Sequence, residues 1–76
     1  MSAETAARLP MFPNSEAELN CWADDRVRCG FPLTKEVVRA RMLALVQFLN
    51  EGTAADRAAF QGSDGWWVRF KRRWNW

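Results

Sequence analysis

Four runs of this chain repeat their apolar residues at helical spacing, and nothing alternates with the period of two that marks a half-buried strand. In the first run Leu19, Trp22, Ala23 and Val27 share one face. Ser15-Glu-Ala-Glu18 reads as a capping box that opens this helix at Ser15, and Gly30 stops it after about Cys29. Pro32 sets up a turn through Gly-Phe-Pro-Leu, after which Thr34 caps the longest helix, expected over about residues 35–51. Its inner stripe is Val38, Met42, Leu45 and Leu49, joined by Val37, Ala44 and Phe48 on a neighbouring face, and Gly52 ends it. Thr53 caps a short third helix from Ala54 to about Phe60, and Gln61-Gly62 turns the chain into a last one. Residues 1–14 carry Pro10 and Pro13 without periodicity and are expected to form a flexible lead-in to a domain over residues 15–76.

The last helix, over about residues 63–75, is the most informative. At about 100° per residue, Trp66, Phe70, Trp74 and Trp67 fall within a stripe roughly 100° wide, enough to dock on a core. Arg69, Arg72 and Arg73 gather on a flank away from that stripe, and Lys71 lies on its other side. Ser63 is placed to cap the helix, with Asp64 in its first turn and the cations in its last, as the macrodipole favours. Gly65 costs about 1 kcal/mol of helix propensity relative to alanine. Such a cost implies close approach of another backbone, from a neighbouring helix or from nucleic acid. The third and fourth helices, with Gly62 in the turn between them, have the layout of a helix-turn-helix.

Charge adds to this picture. From Ser63 onward four cations face one acid, a local +3, whereas residues 1–62 hold seven basic and eight acidic side chains. The whole basic excess therefore sits on one terminal helix, as expected of a helix that lies against phosphates. With 76 residues there is room for a single core, and five Trp and five Phe can fill it. The absence of His and the presence of only two Cys argue against a metal site or a cofactor. Cys21 and Cys29, eight residues apart on one helix, lie about 12 Å apart along its axis and cannot pair there. They read as small core residues, and unpaired thiols fit a reducing intracellular compartment. No run is long and apolar enough to span a membrane, and no secretion signal is indicated. No nucleophile–base pair or phosphate-cradling glycine loop supports an enzyme or a small-molecule substrate.

Taken together, Leu19…Trp22, Gly30-Phe-Pro-Leu-Thr34, the long helix and Phe60…Ser63-Asp-Gly65-Trp66…Arg69-Phe70-Lys71…Arg73 resemble the centromere protein B-type helix-turn-helix domain, found also in pogo-like and jerky-like transposases. The resemblance covers about residues 15–76. It implies an all-α, four-helix, homeodomain-like fold, binding of double-stranded DNA in a nuclear setting, and entry of the last helix into the major groove. It further implies a second DNA-binding module nearby, Ser63 at the start of the recognition helix, Trp66 and Phe70 as its anchors, and Arg69, Lys71 and Arg73 at the family's basic positions. Trp67, Trp74 and Trp76 depart from the family pattern.

Each residue also has a plainer reading. The basic cluster suits a solvated helix end as well as phosphates, and Trp66, Phe70 and Trp22 read as core. Asp24, Asp25, Glu16 and Glu18 read as the solvated acidic side of the first helix, turned away from a duplex. The expected DNA-contacting set is Lys35, Ser63, Arg69, Lys71, Arg72 and Arg73, with Arg69 and Arg73 at base edges and the others at phosphates. Four or so phosphate contacts imply a log–log salt slope of roughly −3 to −4, and tight binding then needs a second module or a dimer partner. The alternative is a protein-interaction bundle that presents its Trp-rich end as an aromatic anchor.

Overall fold

The computed structural model describes residues 10–76, and residues 1–9 of the expected lead-in lie outside the described residues. Four helices follow in order: α1, Pro13–Arg28; α2, Lys35–Leu49; α3, Ala54–Ala59; and α4, Asp64–Arg73. The fold is all-α, as expected. Thr34, Thr53 and Ser63 each accept a bond from the backbone N–H three residues on, so three of the four helices start where a local side-chain cap places them.

The first helix does not. It starts at Pro13, whose fixed φ and missing N–H suit the first helical position, behind Phe12, which supplies no side-chain cap. Ser15 and Glu18 form no capping box. Instead the Glu51 carboxylate, just past the end of α2, accepts from the Asn14 and Ser15 backbone N–H groups at 2.9 and 2.7 Å and from the Ser15 hydroxyl at 2.7 Å. A side chain 36 residues away thus satisfies the N–H groups that open α1. The same contacts set the start of α1 beside the end of α2, so the two helices run antiparallel.

Phe12, Leu19, Val38, Met42, Leu45, Val46, Trp66 and Phe70 form the core, with Ala23 also buried. The inner face of α2 keeps Val38, Met42 and Leu45 of the expected stripe and adds Val46. Val46 is fully buried, whereas Leu49, Val37 and Phe48 are exposed, Phe48 at 84%. The helix also ends earlier, at Asn50, which takes the left-handed conformation (φ 54°) that ends many helices. Gly52 lies two residues beyond, under the Phe12 ring. Cys21 and Cys29 are exposed free thiols and not core residues. Trp22 is half-buried, with the Arg26 and Arg41 guanidiniums 5.5 and 5.3 Å from its ring. Val27 lies outside the core.

Candidate nucleic-acid interface

Gly62 makes the turn between α3 and α4, and its backbone is left-handed (φ 61°). A Cβ there would lie 2.5 Å from Cγ of Arg39 on α2, so a side chain is excluded twice over, by conformation and by contact. Aromatic rings then carry α4 on the core. Phe12 meets Phe60 edge-on, Phe60 meets Trp66 edge-on at 5.5 Å, and Trp66 stacks on Phe70 at 5.1 Å. Trp66 and Phe70 are the inward anchors that the wheel predicts.

The orientation of α4 is fixed by Glu16, a group expected in solvent. Glu16 is 1% exposed, and its carboxylate accepts four bonds from α4 and the residue after it. Trp66 Nε1 donates at 3.2 Å, Trp74 Nε1 at 2.9 Å and Arg73 Nε at 3.0 Å, and Arg73 Nη2 completes an ion pair. Burial of a carboxylate is tolerable only with such pairing. The signal was present in the sequence, because Glu16 stands three and seven residues before Leu19 and Ala23, on their face. Arg73 is correspondingly drawn inward, its side chain 26% exposed. A base-edge role for Arg73 therefore conflicts with its position.

The other Trp residues are used within the fold. Asn75 adopts a left-handed conformation (φ 61°) and turns Trp76 back, so that its ring meets Phe70 at 4.9 Å and its Nε1 donates to Asn20 Oδ1 at 2.9 Å. Trp67 lies beside both, stacked on Phe70 and edge-on to Trp76. Of the indole N–H groups on α4 and beyond, those of Trp66, Trp74 and Trp76 all have protein acceptors.

What remains outward on α4 is Gly65, Val68, Arg69 and Arg72, all exposed and within about 100° on the wheel, opposite Trp66 and Phe70. Arg69 and Arg72 have no carboxylate partner among the described residues. Lys71 lies to one side with its Nζ 5.0 Å from the centre of the Trp67 ring. Ser63 caps the helix through its hydroxyl, at 3.3 Å from the Trp66 N–H. Lys35 stands at the same end but is paired with Asp64 at 2.6 Å. That bond and the Lys35 charge hold the Asp64 carboxyl below its usual range, with a smaller contribution from Arg39. Val68 on the strip and Arg39 beside the turn join the expected residues. Val68 is legible as the apolar residue opposite the core stripe, and Arg39 follows Lys35 by one helical turn on the same side of α2.

The four outward residues and Lys71 thus make a cationic strip on the second helix of a helix-turn-helix, and the one carboxylate beside it, Asp64, is paired with Lys35. No curated protein and no solved structure matches the chain. The family model of the Tc5 transposase DNA-binding domain, a helix-turn-helix of the centromere protein B and pogo type, matches residues 12–76. The chain belongs to this family and is a DNA-binding domain.

Proposed function

We propose that the domain reads double-stranded DNA by laying the outward strip of α4 into the major groove, as part of a nuclear, transposase-derived or transcription-related protein. The observation that supports this best is that Arg69 and Arg72, on the face opposite Trp66 and Phe70, have no carboxylate partner among the described residues. Arg69 takes the base-edge role, for which bidentate pairing with guanine is the available chemistry. Val68 offers an apolar contact for a thymine methyl group. Arg72 and Lys71 hold phosphates, with Ser63 and Lys35 at the helix start as further backbone contacts. Arg73 acts through Glu16 as a positioning residue.

With Arg73 committed inward, three cations of α4 remain, and the log–log salt slope is expected near −3. Binding this modest calls for a second module or a dimer partner for tight, specific recognition. In this reading the chain takes no catalytic step and requires no cofactor. The Trp-rich anchor has less in its favour, because three indole N–H groups of that end already have acceptors within the fold.

Selection of the 76-residue chain against a random duplex library at 50 mM salt, followed by sequencing of the bound fraction, tests the proposal. Enrichment of a short motif is expected. Binding without enrichment would leave phosphate contact alone, and no binding would remove the reading.

A further inference from the structure

Three of the four glycines, Gly30, Gly52 and Gly62, have a positive φ, and Gly65 does not. Gly52 and Gly62 are left-handed, and a Cβ at either would meet a packed side chain, the Phe12 ring at 3.0 Å or Arg39 Cγ at 2.5 Å. Both have reasons inside the fold to be glycine. Gly65 has neither reason. It is helical and exposed, in the first turn of α4, where any residue with better propensity would be accepted. The three atoms nearest to a Cβ built there all belong to the guanidinium of Arg69, at 3.2, 3.7 and 3.8 Å, the movable end of a flexible side chain. No backbone of another element is among them. A neighbouring helix, one of the two causes that the sequence allowed, is thereby removed.

Position matters as much as space. Gly65 lies between Arg69 and Arg72 on the helical wheel, near the middle of the outward strip and opposite Trp66 and Phe70. Resting on the reading of α4 as the DNA-contacting helix, we infer that Gly65 is the point of closest approach between this domain and duplex DNA. The missing side chain lets the helix axis lie nearer to the base edges and sugar–phosphate wall of the groove. A methyl group there holds the helix off and lengthens the contacts of Arg69 and Val68 on the same strip. The guanidinium of Arg69, which lies over Gly65 in the free domain, moves onto the DNA as the duplex takes its place.

Duplex binding by the 76-residue chain at 50 mM salt, with Gly65→Ala, Arg69→Met and the double variant, tests this inference, using either the motif selected above or a random duplex pool. Gly65→Ala is expected to melt at or above the wild-type temperature, since alanine favours the helix. It is expected to bind at least tenfold more weakly, and by a similar factor in the Arg69→Met background. Wild-type affinity in Gly65→Ala overturns the inference. A loss that disappears once Arg69 is methionine also overturns it, because Gly65 then acts only by making room for that side chain. Failure of the wild-type chain itself to bind would instead remove the DNA-reading role of α4, on which the inference stands.

Discussion

At the scale of single residues, one carboxylate decides how α4 is held. Glu16 accepts bonds from Trp66, Arg73 and Trp74 in the interior, so its loss leaves two indole N–H groups and a guanidinium without their acceptor. Removing one partner of a buried ion pair costs about 3–5 kcal/mol, and Glu16→Ala is expected at the lower end because Arg73 keeps some water contact. Urea titration measures this, and a variant within about 0.5 kcal/mol of wild type would show that the hub does not hold α4. Arg69 and Arg73 should separate in the same experiment. Arg69→Ala leaves the unfolding midpoint in place and weakens duplex binding about tenfold or more, the value of a bidentate base contact. Arg73→Ala shifts the midpoint. Equal loss of stability in both variants would contradict the division of roles. From sequence the two arginines looked alike, because wheel position registers the face of a residue and not a carboxylate 57 positions away that claims it.

Helices show the same contrast between local and distant causes. Starts of α2, α3 and α4 were legible because their caps Thr34, Thr53 and Ser63 act within three residues. The start of α1 is Pro13 and not Ser15, because its N–H groups are satisfied by Glu51, across the bundle. The inner stripe of α2 was half legible. Val38, Met42 and Leu45 were found, but Val46 shares their face and Phe48 does not, since neighbours on α1 and α4 select the buried arc within a helix apolar on several sides.

The Glu51 cap gives stability a pH dependence. Burial pushes its carboxyl up, but bonds from the Asn14 N–H and from the Ser15 hydroxyl and N–H outweigh this and hold it below 4.5. A carboxylate depressed in the folded state contributes stability that is present above its unfolded value and lost as pH falls through the folded one. The chain is therefore expected to lose stability as pH drops below 4.5, and Glu51→Gln should flatten part of that acid limb in urea titrations from pH 7 to 3. An acid limb unchanged in Glu51→Gln would rule out the cap as its source. The α3–α4 turn offers a second test at this scale. Gly62→Ala meets both a left-handed backbone and Arg39, and about 2 kcal/mol of destabilisation is expected in a thermal melt. A melt unchanged from wild type would mean that the turn rearranges at little cost.

Over the whole molecule, the sequence shows a basic end and an otherwise near-neutral body, and the fold turns that asymmetry into a face. Packing of Trp66, Phe70 and Trp74 on the core leaves the opposite side of α4 to Gly65, Val68, Arg69 and Arg72. The helix-turn-helix architecture and the anchors of its second helix were legible because they rest on periodicity and turn glycines. Membership of the strip was not, because ion pairs across the fold draw Arg73 inward and engage Lys35 with Asp64. The most direct test is duplex affinity from 50 to 200 mM salt for wild type and for Arg69→Ala/Arg72→Ala. Wild type is expected to show a log–log slope near −3, and the double variant one shallower by one to two, with the two proteins equally stable. A slope near zero in wild type, or the same slope in both, would contradict DNA binding through the outward face of α4.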